Sequence, residues 1–211
     1  MINSIIALGV GRNTPVMIDF ALACGYTIEG LYHYDDSRTG KFDHGYKILG
    51  SFNDLWNIND LSGKNFLLTM GNIEIRENLI QKILSKGGNL PTLIHPMAVV
   101  SSFAKISSVG VCVFPFTFIQ SDSIIADNTI ILSHVNISHN TSIGSNCFIA
   151  GSAVVGAYTT VENRVFIGQG ALIISEKVDV IGHDSFIAAG ALVTHPVPHS
   201  SKVIGYPARI V

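Results

Sequence analysis

From Val113 to Ile173 an aliphatic side chain recurs at every sixth position: Val113, Ile119, Ile125, Ile131, Ile137, Ile143, Ile149, Val155, Val161, Ile167 and Ile173. An α-helix repeats near 3.6 residues and a half-buried strand near 2, so this run fits neither template. Four residues after each aliphatic stands something small or β-branched, as at Thr117, Ser123, Thr129, Val135, Thr141, Cys147, Ala153, Thr159, Val165 and Ala171. Two inward positions per six residues, one large and one small, describe the wall of a narrow prism wound from short strands. A repeat of this kind predicts a solenoid in which each coil of three hexads covers its neighbour, rising by roughly the 4.8 Å spacing between strands. The pattern slips once. After Ile173 the frame resumes at Ile181, Ile187 and Val193, two residues late, and the segment ISEKVDV is the expected outward bulge. The Pro-rich tail HPVPHSSKVIGYPARIV is expected to leave the coils and pack along their outside.

Before about Val100 the pattern is different: short apolar runs alternate with helically spaced ones. Residues 3–10 (NSIIALGV) predict a strand that ends in Gly9-Val10-Gly11. TPVMIDFALACG follows with helical spacing, Thr14 suiting an N-cap and Pro15 the first helical position. A second strand is expected over 26–34, ending at Asp35-Asp36, then a polar stretch to about Gly50 and a short helix near 53–59. A third strand over 64–70 closes in Gly71-Asn72, and IEIRENLIQKILSKGG has helical spacing with Gly87-Gly88 as its stop. Leu90–Ile94 is read as a fourth strand, leading into His95-Pro96. This alternation predicts a small parallel α/β domain whose ligand site lies in the loops at the strand C-termini. The resulting division is an α/β domain over 1–95, a solenoid over 96–197 and a tail over 198–211.

Composition narrows the partners. A net charge of -2 with 13% charged residues gives no electrostatic reason to expect nucleic acid or an anionic membrane. Cys24, Cys112 and Cys147 show no C-x-x-C spacing, and Cys147 falls in a small inward slot, so it reads as a buried small hydrophobe. The start, MINSII, has neither the basic region nor the long apolar run of a signal peptide, and no stretch reaches the length of a membrane span. A cytoplasmic protein is the simplest expectation.

The hexads IGSNCF, IAGSAV, IGQGAL, IGHDSF and IAAGAL, with the ending IGYPARIV, resemble those of the hexapeptide-repeat acyltransferases. That resemblance implies a left-handed parallel β-helix, an exception to the usual right-handed crossover. The N-terminal half, with GNIEIRENLIQKIL after the third strand and then LIHPMAVVS, extends it to the bacterial nucleotide-sugar N-acetyltransferases of the NeuD/PglD-like group. Membership would imply a homotrimer with active sites between subunits. It would also imply transfer of acetyl from acetyl-CoA, without a metal, to the amine of a nucleotide-linked amino sugar, by family habit a 4-amino-4,6-dideoxy sugar for surface glycan synthesis.

In that group the histidine of an I-x-H-[DE]-x-x-I-G segment is the general base. The matching residues are Ile137, Ser138, His139, Asn140, Thr141, Ser142, Ile143 and Gly144, so the resemblance picks His139. Position agrees: His139 stands two places after inward Ile137 and two before inward Thr141, so its ring should project outward. Imidazole suits an amine that must lose a proton on becoming an amide. An acid is usual beside that histidine, but Asn140 stands here; a neutral amide can orient the ring while supporting its cationic form less. A backbone N–H must also face the acyl oxygen, and the family pattern gives that role to Gly156.

For the nucleotide sugar the resemblance carries over Asn13, Asp35, Gly71 and Asn72. For coenzyme A it carries over Gly156 and Gly170 beside the pantetheine, with Lys202, Pro207 and Arg209 near the adenosine and its phosphates. The sequence leaves open UDP, dTDP or GDP, the sugar, and the ring carbon that bears the amine.

Other functions compete on the same fold. O-acyl transfer to a sugar hydroxyl, acylation of a small amine, and non-catalytic sugar-nucleotide binding all remain. His134 and His139 have the H-x-x-x-x-H spacing of zinc carbonic anhydrases built on this solenoid. Two coils before His134, however, the chain has Ala98 where a third ligand would be needed, and His95 is out of phase.

Overall fold

The computed structural model describes residues 3–211, so the first two residues of the MINSII start lie outside the described residues. It divides into two compact units, one ending at Pro91 and one beginning at Thr92. The first contains β1 (Asn3–Leu8), α1 (Thr14–Ala23), β2 (Tyr26–His33), β3 (Phe42–Asp43), β4 (Tyr46–Ser51), α2 (Phe52–Trp56), β5 (Phe66–Leu68) and α3 (Ile73–Ser85). The sheet order is β3-β4-β2-β1-β5. β1, β2, β4 and β5 run parallel, and β3 joins β4 as an antiparallel hairpin. Alternation along β1 sends Ile6 and Leu8 to the face covered by Leu55, Leu79, Ile80 and Ile83, and Ala7 to the face packed with Ile18 and Ile48. Helices on both faces explain why β1 reads as a nearly continuous apolar run.

Three local details depart from the sequence reading. The polar stretch before Gly50 contains the β3–β4 hairpin, turned at His44 and Gly45 with φ of 46° and 82°, as a type I′ turn requires. α1 is capped one residue earlier, with Asn13 at the N-cap position. The Thr14 hydroxyl closes the glycine turn instead, accepting from Gly11 N at 2.8 Å and donating to Gly9 O at 3.1 Å. Lastly, Leu93–Ile94 does not join the α/β sheet; it pairs with Cys112–Val113 as the first rung of the solenoid, and only an isolated bridge links Asn65 and Asn89.

The second unit is a left-handed parallel β-helix. Two-residue strands stack in three sheets. The first face runs through Cys112–Val113, Ile130–Ile131, Phe148–Ile149, Phe166–Ile167 and Phe186–Ile187. The second runs through Phe118–Ile119, Asn136–Ile137, Val154–Val155 and Leu172–Ile173, and the third through Ile124–Ile125, Ser142–Ile143, Thr160–Val161 and Val180–Ile181. Every aliphatic of the six-residue run is 0–1% exposed, and the small slots are 0–2% exposed. Each buried Ile or Val contributes roughly 1.5–3 kcal/mol. The slip is accommodated by Val178, fully buried in a small slot, so that Thr160 pairs with Val180, two residues beyond the normal coil.

The small slots also explain how hydroxyls survive in this core. Thr117, Ser123, Thr129 and Thr141 donate to the carbonyls of Leu132, Ser138, Gly144 and Gly156 at 2.8–3.0 Å. Each bond satisfies a corner carbonyl and a buried hydroxyl together, which avoids the cost of burying either unpaired. Cys147 takes the same slot, its Sγ 3.1 Å from Glu162 O, and burial pushes its thiol up to about 11.

Each corner also carries one residue in the left-handed region. Asp122, Asn128, His134, Asn140, Asn146, Ser152, Tyr158 and Arg164 follow one another at six-residue steps with φ of 54–63°, and Gly170 continues the series at 64°. Asn, Asp and Gly tolerate that region; a bulky residue there is an outlier. The tail does not run along the outside of the coils. Lys202–Gly205 pairs in parallel with Phe186–Ile187, and Ala208–Ile210 folds back antiparallel on it. The ladder therefore continues through the tail because Val203, 3% exposed, still fills an inward slot.

Candidate functional site

His139 sits at the corner between the second and third faces. Its Nδ1 lies 2.9 Å from Asn140 Oδ1. An amide oxygen only accepts, so Nδ1 carries the proton, and in the neutral ring Nε2 keeps a free lone pair. Asn140 thus orients the ring without a charge, at a corner whose φ of 54° suits asparagine. From the coil above, Tyr158 meets the imidazole edge-on, with ring centroids 5.3 Å apart at 89°. From the coil below, Gln120 Oε1 accepts from His139 N at 3.3 Å while its Nε2 donates to Asn136 Oδ1 at 3.2 Å. The sequence reading singled out neither Tyr158 nor Gln120, although each is one coil plus one residue from His139. Tyr158 is one of the bulky residues of the corner series, at φ 61°.

Gly156 lies one coil above Ser138, tied to the site by the Thr141 hydroxyl at 2.9 Å from Gly156 O. A Cβ on Gly156 would stand 2.6 Å from Ile173 O and 2.7 Å from Ser175 Cα, so the close stacking of backbone already requires glycine. Its N–H is unlike its equivalents. Ser138, Gly144, Ala150, Glu162, Gly168 and Ile174 each donate to the next coil, and Gly156 makes no such bond among the described residues. Directly above it the two-residue slip begins, and Ser175 Oγ takes the neighbouring N–H of Ala157 at 2.9 Å.

The α/β unit holds a cleft of about 500 Å³ at the C-terminal edge of its sheet, lined in part by Gly9, Gly11, Asn13, Tyr34, Gly71 and Asn72. Three of the four residues expected for a nucleotide sugar therefore converge. Asn13 has no capping bond to occupy its side chain, while Asn72 Oδ1 caps α3 through Ile75 N at 3.0 Å. Gly9 is required by its φ of 106°, and a Cβ there would meet Thr69 Oγ1 at 2.6 Å. Asp35 does not line the cleft. Its carboxylate accepts from the Ser37 hydroxyl and, at 2.9 Å, from Ser37 N, and pairs with buried His33 at 3.2 Å. The Ser37 bonds hold it down at about 2, and its neighbour Tyr34 faces the cleft instead.

Residues of the second face fit an extended, largely apolar acyl carrier such as the pantetheine arm of coenzyme A. Val154, Leu172 and Leu192 give an apolar strip between the Gly156 corner and the Gly170 corner, where a Cβ on Gly170 would meet nothing within 4 Å. The expected basic residues are separated. Lys202 Nζ lies 5.6 Å over the Phe186 ring on the first face, whereas Arg209 borders a cleft of about 400 Å³ with His195 and donates to Ala208 O. Pro207, after a cis bond, sits in the exposed turn between the last two strands and lines neither cleft.

Among the described residues no group of three or more His, Cys, Asp or Glu is placed to hold a metal ion. His134 instead stacks on Phe116 at 5.0 Å. Among the described residues no helix is long and apolar enough to cross a membrane.

The chain is similar to several known proteins. No family model matches the chain. The GDP-perosamine N-acetyltransferase of Escherichia coli O157:H7 is 31% identical over 186 residues, covering 85% of this chain and 81% of that one. PerB from Caulobacter crescentus, solved with CoA and GDP-perosamine, superposes with a TM-score of 0.87 at 28% identity, covering 100% and 98% of the two chains. The acetyltransferase domain of PglB from Neisseria gonorrhoeae FA1090 gives a TM-score of 0.88 at 25% identity over 99% and 100%.

Proposed function

The chain belongs to the hexapeptide-repeat nucleotide-sugar N-acetyltransferases, and from that premise we propose that His139 is the general base for moving acetyl from acetyl-CoA to the amine of a nucleotide-linked amino sugar. The single observation that carries the residue choice is the His139–Asn140 bond, which leaves Nε2 basic and aimed away from its own corner partner. As the new N–C bond forms, Nε2 takes the proton that the amine sheds, then returns it to the departing sulfur. Positioned base catalysis of this kind is worth about 10²–10⁴ in rate. Gly156 N–H is the donor for the acyl oxygen, supported by its missing ladder bond one coil above. The cleft around Gly9, Asn13 and Gly71 is the sugar-nucleotide site, and the strip along Val154 and Leu172 the pantetheine site. The amine is that of a 4-amino-4,6-dideoxy sugar, the enzyme is a cytoplasmic homotrimer, and the product serves surface glycan synthesis.

Incubating the protein with acetyl-CoA and a panel of nucleotide-linked amino sugars, and following thiol release, tests this reading. Acylation of an amine is expected. Transfer only to the hydroxyls of the matching nucleotide sugars would favour an O-acyltransferase.

Asn140 gives a second expected result. Asn140→Ala lowers kcat by about tenfold or more, because the ring loses the acceptor that fixes its tautomer, while Asn140→Asp retains activity by restoring an acceptor. Equal kcat values for Asn140→Ala and the parent chain would remove Asn140 from this role. Sedimentation of the active species checks the trimer; a fully active monomer would contradict it.

A further inference from the structure

Hydrogen bonding pins the imidazole of His139 at one atom, Nδ1, through Asn140 Oδ1 at 2.9 Å. That bond sets the tautomer, but the χ2 torsion of histidine is broad, so nothing in the residue itself fixes the plane of its ring. Gln120 Oε1 and Tyr158 N, at 3.3 and 3.4 Å, hold only the main chain of His139, at its N–H and its carbonyl. The ring therefore rocks about the pinned nitrogen unless a second group bears on it. Tyr158 is that group: its ring crosses the imidazole at 89° with centroids 5.3 Å apart, the edge-to-face arrangement that aromatic pairs prefer.

The backbone at Tyr158 gives no reason for a tyrosine. Its φ of 61° lies where asparagine and glycine are tolerated and a bulky side chain is strained, and Asn140 fills the same corner one coil below. The side chain is 54% exposed, so burial repays little of that strain. Bulky residues at other corners engage each other or an ion: Phe116 stacks on His134, and Arg164 Nε donates to Asp184 Oδ1 at 2.6 Å. The ring partner of Tyr158 is His139. Resting on the reading above that His139 is the base, we propose that Tyr158 is a positioning residue, whose ring fixes the plane of the imidazole so that Nε2 keeps one direction toward the amine. Strain at the corner is then tied to geometry at the site. A base displaced by about 1 Å loses on the order of 10²-fold in rate, so a restraint of this kind acts on turnover rather than on binding.

Steady-state kinetics and thermal melts of Tyr158→Asn and Tyr158→Phe test the assignment, with acetyl-CoA and the nucleotide-linked amino sugar that the panel above identifies as acceptor. Asparagine suits the corner, so Tyr158→Asn is expected to melt at or above the parent chain while kcat falls about tenfold or more and both KM values stay within about twofold. Tyr158→Phe keeps the ring and is expected to hold kcat within about twofold. Unchanged kcat in Tyr158→Asn overturns the assignment, and a lower melting temperature beside the rate loss marks the residue as structural instead. A phenylalanine variant as slow as the asparagine one also overturns it, by making the hydroxyl the working group. So does a raised KM for the amino sugar at constant kcat, which makes the ring a substrate surface. His139→Ala, measured alongside, separates the two readings. A loss of about 10²-fold there with no effect in Tyr158→Asn removes this inference alone, whereas near-normal turnover in His139→Ala removes the base and this inference with it.

Discussion

His139→Ala is expected to lower kcat by at least about 10²-fold while acetyl-CoA affinity stays within about twofold. The split follows from what the ring touches. Its contacts are Asn140 and Tyr158, while Gln120 holds only the backbone N–H of His139, and none of these is an inward slot. The hydrophobic interior beneath, Ile137 and Thr141, is untouched by the substitution, so the coil keeps its stacking and the variant should melt close to the parent chain. Steady-state kinetics with calorimetric binding of acetyl-CoA checks both halves. Near-normal turnover would remove His139 from the mechanism, and a matching loss of binding and melting temperature would mark it as structural.

Gly156→Ala is the second large effect, and it needs a control because the position is crowded by backbone. The new methyl would press on Ile173 O and Ser175 Cα, and neither is the end of a flexible side chain. Overpacking of this sort costs about 1–3 kcal/mol. Gly144 is a matched site on the adjoining corner, where a Cβ would meet Glu162 C at 2.7 Å and Asn163 N at 2.8 Å. Gly144→Ala should therefore destabilise comparably. The two should part in kinetics: displacing a donor by about 1 Å costs on the order of 10²-fold, so Gly156→Ala loses that in kcat at temperatures where both variants are folded, and Gly144→Ala does not. Thermal melts run beside the rate measurements separate the cases. Parallel losses in both variants would reduce Gly156 to a stacking residue.

Much of the solenoid was legible because its constraint is severe. A narrow prism accepts one large and one small inward side chain per hexad, and each predicted slot from Val113 to Ile173 is buried. The α/β unit was readable where strands are covered on both faces, as in β1, and not at β4, between the β3 edge and β2, of which Tyr46, Lys47 and Leu49 remain partly or fully exposed. Leu93–Ile94 could not be allotted from its own residues, since two apolar positions fit a rung of either unit equally well. At the site, the resemblance picked His139 and spacing set its outward orientation. Tyr158 and Gln120 act on it from other coils, and finding them requires adding or subtracting a coil rather than reading neighbours. Asp35 was misplaced for a local reason: a serine two residues on offers both its N–H and its hydroxyl, and the carboxylate turns to them before any ligand.

The two-residue slip after Ile173 has a consequence for how such a chain finds its fold. Hexads are nearly interchangeable, so a stack displaced by one whole coil would bury almost the same side chains, and repetitive strands are prone to such slippage. The level above Gly156 makes room for Val178 beyond a lengthened corner, with Thr159 Oγ1 bonded to Val178 O at 2.8 Å. A mis-stacked chain would leave that hydroxyl facing the wrong carbonyl and the extra residues without a place. The irregularity thus serves as a landmark on the staircase, distinct from the one-residue insertion between Ile106 and Cys112, and the step it marks is the one directly above Gly156 and Tyr158.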